Sequence, residues 1–168
     1  MRSSAMRRSM REIERKFLVV GDEWRKLATG DHFRQGYLNH RAGVTVRVRQ
    51  AGQRAFLTIK SQPTGIIRTE YEYPIPVADA EHLLTELCQQ PLIDKHRYRV
   101  CIRDFVWEID EFHGPNQGLI LAEVELSSED QAFQKPDWIG QEVSADPRYG
   151  NASLVDYPYR SWPENGND

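Results

Sequence analysis

The sequence has little cysteine and no long apolar run. Only two of its 168 residues are cysteine, Cys88 and Cys101, and neither lies in a CxxC motif or near a cluster of further ligand residues. The spacing of the two cysteines argues against a disulfide framework and against a metal site with cysteine ligands, and it favours reduced thiols in the cytoplasm. No apolar run is long enough to cross a bilayer. The basic first ten residues lack the hydrophobic segment of a secretory signal, so residues 1–10 are predicted to be a disordered extension.

The chain also lacks a large excess of either charge. Its formal net charge is −3 although 28% of its residues are charged, so the position of the charges is more informative than their sum. The chain has no basic excess that would indicate nucleic-acid binding, and it has no acidic tail that would indicate disorder. The length fits one domain, predicted over residues 11–157, followed by a flexible tail over residues 158–168. We expect no nucleic-acid or membrane partner, and the sequence leaves a homodimer open.

The stretch from Arg11 to Val19 is predicted to be a strand with one charged face. Alternate side chains of a strand point to opposite faces. The two faces carry Glu12, Glu14 and Lys16 on one side and Ile13, Phe17 and Val19 on the other. Two carboxylates can bind a divalent cation through oxygen, and a lysine can bind a phosphate oxygen. Taken alone, the stretch is explained equally well as a solvated edge strand.

The same division into a charged and an apolar face recurs along the chain. Alternation predicts further strands at residues 32–38, 44–49, 55–60, 68–73, 95–102, 105–112 and 119–126, and a short final strand at 142–144. Helices are predicted at 22–28, 79–89 and 128–134, with turns at 39–43 and 103–104. A sheet of about eight strands normally closes on itself or is covered. The fold class is therefore mainly β, with a few helices.

In a closed barrel either the apolar or the charged face can line the lumen. Apolar lining is the usual arrangement, but here the charges are segregated by strand and by sign, which random surface decoration does not produce. The acidic strands carry Glu12/Glu14, Glu70/Glu72, Glu108/Asp110 and Glu123/Glu125, and the basic ones Arg47/Arg49, Lys60 and Lys95/Arg97. The predicted amphipathic helices also need an apolar outer surface. We therefore predict an inward-facing basic wall and acidic wall, which suit a polyanion with its divalent cations.

With these residues in this order, the chain resembles the CYTH superfamily of triphosphate tunnel metalloenzymes. The family's ExExK signature is met by Glu12, Glu14 and Lys16, and the later charged strands follow in the family's order. The similarity extends from about residue 10 to residue 155. It implies an eight-stranded antiparallel closed β-barrel (mainly β, α+β) with a charged lumen and a few flanking helices.

The resemblance also implies a role for each matched residue. The triphosphate is expected to bind Lys16, Arg47, Arg49, Lys60, Lys95 and Arg97. The metal, Mg²⁺ or Mn²⁺, is expected at Glu12, Glu14, Glu108, Asp110, Glu123 and Glu125. Catalytic roles fall to Lys16, Lys95, Glu70 and Glu72, the two glutamates orienting a water or pairing with the arginines. Any single member is alternatively a structural ion pair; Arg99 is placed at the tunnel mouth or in solvent, and Glu142 is a further lumen candidate.

Among the activities of this family, the resemblance favours metal-dependent hydrolysis of inorganic triphosphate to pyrophosphate and phosphate. No aromatic pocket for adenine or thiamine is evident, although Trp24, Tyr37, Phe56 or Tyr159 could stack on a base. Two enzymatic alternatives stay open, a class IV-type adenylate cyclase and a thiamine or nucleoside triphosphatase. A third alternative is a module that binds polyphosphate or a nucleotide without turnover.

Overall fold

The computed structural model describes residues 10–39 and 43–165. Its nine strands are β1 (Arg11–Val19), β2 (Asp31–Asn39), β3 (Val44–Ala51), β4 (Arg54–Ser61), β5 (Ile67–Ile75), β6 (Ile93–Ile102), β7 (Phe105–Phe112), β8 (Ile120–Glu125) and β9 (Ile139–Glu142). They form one antiparallel sheet in the order β5-β4-β3-β2-β6-β7-β8-β1-β9. Pairing of β1 with β5 closes the first eight strands into a barrel, and β9 adds to the edge of β1. The expected eight-stranded closed barrel is confirmed.

Tight turns join successive strands of the barrel. Arg103 and Asp104 form the predicted two-residue turn between β6 and β7, because Ile102 pairs with Phe105. Arg103 has a φ of 55°, the left-handed conformation that two-residue hairpin turns favour. Gly52, with a φ of 60°, has the same role between β3 and β4. Residues 1–9 of the expected extension and residues 40–42 of the expected turn lie outside the described residues.

Charged side chains face the inside of the barrel, and the apolar faces of the strands lie outside. Lys95 is fully buried, and Arg47 and Asp110 expose no more than 5% of their surface. Alternate residues of the strands, such as Phe17 and Trp107, belong to an apolar cluster outside the sheet. The predicted charged lumen is therefore confirmed.

Short helices cover part of the outer apolar surface. A single 3-10 turn at Glu23–Lys26 buries Trp24, in place of the helix predicted at 22–28. Helix α1 (Val77–His82) continues into a π-helical turn at Leu83–Leu87, close to the helix predicted at 79–89. Ala80 of α1 and Leu84 of the following turn are buried against side chains of β3 and β4. Among the described residues, no helix has the length and apolar character that a membrane span requires.

The helix predicted at 128–134 is wrong. This segment is a turn followed by chain without regular secondary structure. The side chain of Gln131 accepts hydrogen bonds from the backbone N–H and the hydroxyl of Ser127, contacts that compete with helical hydrogen bonding. The chain after the turn lies against the outer face of the barrel, where the Phe133 ring packs against Phe17 and Trp107. The final strand also differs, ending at Glu142 where the prediction placed it at 142–144.

The C-terminal segment closes one end of the barrel. Inward-facing apolar residues at this end of the strands, including Ile93 and Phe112, form a cluster with Leu154 of helix α2 (Asn151–Asp156) and with Trp162. Trp162 exposes only 1% of its surface, and its indole N–H donates to the carbonyl of Tyr157. The described part of the expected flexible tail, residues 158–165, therefore packs on the barrel, because the Trp162 side chain is buried there.

Candidate functional site

The registers of the barrel strands place basic and acidic side chains opposite each other. Arg97 pairs with Asp110 across β6 and β7, Lys60 with Glu70 across β4 and β5, and Lys16 with Glu123 across β1 and β8. All these side chains point into the lumen, since residues of the same parity on each strand share a face. The lumen is thus the meeting point of most residues that the sequence assigned to the site.

Lys95, Arg97 and Asp110 form a buried cluster. The Lys95 ammonium donates to Asp110 Oδ2 at 2.8 Å, while Arg97 donates through Nε to Oδ1 at 2.7 Å and through Nη2 to Oδ2 at 2.9 Å. Burial would raise the pKa of Asp110, but the charges of Arg97 and Lys95 outweigh it and hold that pKa well below its ordinary value. Burial lowers the pKa of Lys95 to about 7, against the attraction of Asp110. Both Asp110 oxygens are therefore engaged by protein cations.

Lys16 lies between the acidic wall and the C-terminal segment. Its ammonium donates to the carbonyl of Tyr149 at 3.2 Å and lies 3.5 Å from Glu123 Oε1. Burial raises the pKa of Glu123, but the charges of Lys16 and Arg97 outweigh it and bring the pKa to about 2. Glu123 is therefore a carboxylate at any pH at which the protein would act.

Two pairs of carboxyl groups lie close together on the acidic side. The charge of Glu123, followed by burial, raises the pKa of Glu14 to about 7. Burial, followed by a hydrogen bond to Glu70, raises the pKa of Glu12 to about 8. Burial also opposes ionisation of Glu70, but the hydrogen bond from Glu12 and the charge of Lys60 leave its pKa below the ordinary value. Glu12 and Glu14 thus favour the protonated form near neutral pH, Glu12 mainly because of its burial and Glu14 mainly because of the charge of Glu123.

Arg47 and Lys60 contact the acidic side only loosely. Arg47 Nη2 lies 3.6 Å from Glu70 Oε1 and 3.5 Å from Glu72 Oε2, and it donates to the hydroxyl of Thr58 at 3.2 Å. Lys60 Nζ lies 3.8 Å from both Glu12 and Glu70. The buried Arg47 Nε has no hydrogen-bond acceptor among the described residues. The basic wall therefore retains donor capacity that the protein does not satisfy.

Arg49 is held by two neighbours. Its Nε donates to Gln35 Oε1 at 2.8 Å, and its guanidinium carbon lies 5.0 Å from the centre of the Phe33 ring. The Arg97 guanidinium carbon lies 5.1 Å from the centre of the same ring, so Phe33 contacts both guanidinium groups. Burial, followed by the charges of Arg47 and Arg97, lowers the pKa of Arg49 to about 9.

Four residues considered in the sequence analysis lie at the margin of this arrangement or outside it. Glu108 is half-buried and contacts both Arg97 and Arg99, and the Arg99 side chain is 64% exposed, as expected for the mouth or the surface. Glu125 is exposed at the end of β8. Glu142 is not in the lumen. It accepts hydrogen bonds from Arg15, whose side chain points to the outer face because it alternates with the inward-facing Glu14 and Lys16. The lumen prediction for Glu142 is therefore wrong, because β9 pairs at the outside edge of β1.

Several lumen residues were missed by the sequence reasoning. Arg68 has the same parity as Glu70 and donates to Ser61 O and to Thr45 Oγ1, so the alternation itself could have revealed it. Gln35 and Asn151 gave no signal, since one is a neutral residue in a strand without a charged pair on that face and the other begins a separate helix. Their roles depend on tertiary contacts alone.

The acidic residues do not enclose a metal ion by themselves. Within residues 10–39 and 43–165, no three carboxylate, imidazole or thiolate groups lie close enough to one point to hold an ion. The carboxyl groups instead come in pairs, Glu12 with Glu70 and Glu14 with Glu123. A cation bound at such a pair would need further ligands from a substrate or from water.

Comparisons with known proteins agree on one family. The family model of the CYTH domain matches residues 10–156. An inorganic triphosphatase from Acetivibrio thermocellus is 49% identical over 154 residues, which is 92% of this chain and 99% of the relative. An inorganic triphosphatase from Nitrosomonas europaea is 41% identical over 150 residues, 87% and 97% of the two chains. The crystal structure of the inorganic triphosphatase NE1496 matches with a TM-score of 0.62 at 39% identity, covering 86% of this chain and 93% of that one.

Proposed function

The chain belongs to the CYTH domain family, and we propose that it is an enzyme that hydrolyses inorganic triphosphate to pyrophosphate and phosphate inside its barrel. Two relatives that are more than 40% identical over most of the chain are inorganic triphosphatases. The substrate is a small molecule that fits a lumen with a basic and an acidic wall. A cytoplasmic location and a homodimer remain predictions from the sequence.

One observation carries this proposal, the buried donor of Arg47. The residue is 5% exposed, and its Nε has no acceptor among the described residues. A buried donor without an acceptor costs about 1–3 kcal/mol, more when it is charged. Phosphate oxygens match the forked geometry of a guanidinium, so a triphosphate would satisfy this donor. The donor therefore supports an anionic ligand inside the barrel.

We further propose Mg²⁺ or Mn²⁺ as the cofactor. The carboxyl pairs Glu12–Glu70 and Glu14–Glu123 fit such an ion, because both metals prefer oxygen ligands and Mg²⁺ is commonly held by one or two carboxylates together with phosphate and water. Asp110 accepts hydrogen bonds from Lys95 and Arg97, and Glu108 accepts one from Arg97, so their metal roles, like that of Glu125, stay predictions. When bound, the ion would neutralise charge on the phosphates and polarise a water or a phosphoryl oxygen.

The protein's own residues supply binding and orientation. The basic set of Lys16, Arg47, Arg49, Lys60, Lys95 and Arg97 would bind the phosphate oxygens and stabilise charge on the equatorial oxygens during transfer. Glu70 has a pKa below its ordinary value, so it stays ionised at neutral pH and can accept a hydrogen bond from an attacking water. Glu72 accepts a hydrogen bond from Thr58 and is the second candidate for that role.

The test is phosphate release from four substrates: tripolyphosphate, ATP, thiamine triphosphate and pyrophosphate, each with Mg²⁺, with Mn²⁺ and with EDTA. We expect fast release from tripolyphosphate that EDTA abolishes, with little release from the other three. Pyrophosphate and cyclic AMP from ATP would replace the proposal with a cyclase. Tight binding of tripolyphosphate without turnover would indicate a binding module.

A further inference from the structure

A chain of hydrogen bonds connects the C-terminal helix to two basic residues of the lumen. Asn151, the first residue of α2, accepts through Oδ1 from Lys95 Nζ at 2.9 Å and from Gln35 Nε2 at 3.1 Å. Gln35 in turn accepts through Oε1 from Arg49 Nε at 2.8 Å. Asn151 therefore touches one basic residue directly and reaches a second through one intervening amide.

Both amide orientations in this chain are determined by their neighbours. Lysine ammonium and arginine guanidinium groups only donate hydrogen bonds. The Asn151 atom next to Lys95 and the Gln35 atom next to Arg49 must therefore be oxygens. The Gln35 nitrogen then points at Asn151 Oδ1, so one carbonyl oxygen accepts from both sides.

These contacts leave donors of both cations available for phosphate. An ammonium has three N–H groups, and Lys95 uses two of them on Asp110 and Asn151. Arg49 uses Nε on Gln35, while the Phe33 ring restrains the plane of its guanidinium. The fork of two terminal nitrogens is the part of arginine that binds phosphate best.

We propose that Asn151 is a positioning residue for the basic wall: its side-chain carbonyl fixes the Lys95 ammonium directly and the Arg49 guanidinium through Gln35. The inference rests on the proposed triphosphatase function and extends it to the segment that closes the barrel. The backbone of the same segment contacts Lys16, whose ammonium donates to the carbonyl of Tyr149. The segment that closes the barrel therefore contacts Lys16 and Lys95 directly and Arg49 through Gln35.

The first test compares Asn151→Ala with Ser153→Ala, a change on the same helix that removes no lumen contact. Misplaced binding groups commonly cost tenfold or more, so we expect kcat/KM for tripolyphosphate to fall by about ten- to a hundredfold in Asn151→Ala. Ser153→Ala should stay within about twofold of the wild type. A kcat/KM for Asn151→Ala within twofold of the wild type would overturn the proposal.

The second test follows the Arg49 Nε–Hε signal by ¹H–¹⁵N NMR, assigned with an Arg49→Lys variant. The signal should move in Asn151→Ala and in Gln35→Met, and stay in place in Ser153→Ala. Asn151→Asp retains an acceptor oxygen and should leave the signal near its wild-type position. A signal displaced by the aspartate as far as by the alanine, or unmoved by the alanine, would contradict a role that works through the acceptor.

A double-mutant cycle between Asn151→Ala and Gln35→Met tests the relay. Because both changes break the same path to Arg49, the loss in kcat/KM for the pair should be smaller than the product of the two single losses. Full multiplicativity would overturn the relay through Gln35. Inactivity of the wild type on tripolyphosphate would instead refute the proposed function, and the Arg49 signal alone would then decide the positioning role.

Discussion

At the scale of single residues, the lumen contains two kinds of basic side chain. Some make short hydrogen bonds to carboxylates of the protein, and others retain donor capacity. Lys95 and Arg97 are held by Asp110, whereas Arg47 and Lys60 approach the acidic side no closer than 3.5 Å. The first group preserves the shape of the site in the absence of ligand. The second group is available to a phosphate. This division gives each basic residue its own expected response to substitution.

Replacing Lys16 with alanine should reduce kcat for tripolyphosphate by about 10²–10³, the loss typical when one donor to a developing charge is removed. The variant should also unfold at a somewhat lower temperature, because the mostly buried Glu123 loses its ion pair with Lys16. Lys26→Ala is the matched control, since its side chain is 77% exposed. Wild-type turnover of the Lys16 variant in a phosphate-release assay would remove this residue from the site.

Asp110→Asn should behave differently and destabilise the fold. Removing this charge leaves Lys95 and Arg97 buried without their counter-ion, a loss that costs about 3–5 kcal/mol in comparable buried pairs. Urea unfolding measures the change in the free energy of unfolding. The exposed Asp137→Asn is the control and should stay within about 0.5 kcal/mol of the wild type. Equal stability of the two variants would argue that Asp110 is not the structural centre of the cluster.

At the scale of elements, the strands were predictable and the covering segments were only partly so. Alternation revealed every barrel strand, because a strand that is charged on one face and apolar on the other repeats with period two. The segment 128–134 was mispredicted because its only apolar residues, Ala132 and Phe133, are adjacent and give no periodicity that distinguishes a helix from irregular chain. The local hydrogen bonds between Ser127 and Gln131 and the packing of Phe133 on Trp107 decide its conformation, and the second of these joins segments that are distant in the sequence.

Phe133→Ala tests this account of the covering segment. The ring lies 5.7 Å from Trp107 and 6.0 Å from Phe17, so its loss should cost about 3 kcal/mol of unfolding free energy, near the low end for buried aromatic residues because Phe133 is only partly buried. The neighbouring Gln134→Ala removes an exposed side chain and should be close to neutral. Denaturant unfolding compares the two variants. A neutral Phe133 variant would show that the loop does not contribute to covering the outer surface.

At the scale of the whole molecule, a closed barrel with charges inside is stable only if the charges compensate each other. Glu12 and Glu14 lack full compensation, and their pKa values of about 8 and about 7 lie above the ordinary value of a carboxyl group. The sequence predicted this charged lumen from strand parity and the order of the motifs. It could not predict that Asn151 and Gln35 would complete the basic wall, because those contacts join distant segments.

The pH dependence of stability follows from the same two groups. A carboxyl group whose pKa is raised in the fold stabilises it fully below its unfolded pKa and loses that contribution as the pH rises through the folded pKa. In EDTA we therefore expect the free energy of unfolding to decline between about pH 5 and pH 7, above which the lowered pKa of Lys95 adds an opposing contribution. Mg²⁺ should oppose the decline, and Glu12→Gln with Glu14→Gln should flatten it. Stability that rises through this range in metal-free protein would contradict the assignment.

The most direct measurement is a crystal structure of the low-turnover Lys16→Ala variant with tripolyphosphate and Mn²⁺. The anomalous signal of Mn²⁺ locates the ion independently of the phosphates. We predict that the tripolyphosphate lies inside the barrel, where one of its oxygens accepts a hydrogen bond from Arg47 Nε. The ion should lie beside Glu12 or Glu14. Tripolyphosphate bound on the outer surface, with Arg47 Nε still lacking an acceptor, would contradict the claim that the lumen is the active site.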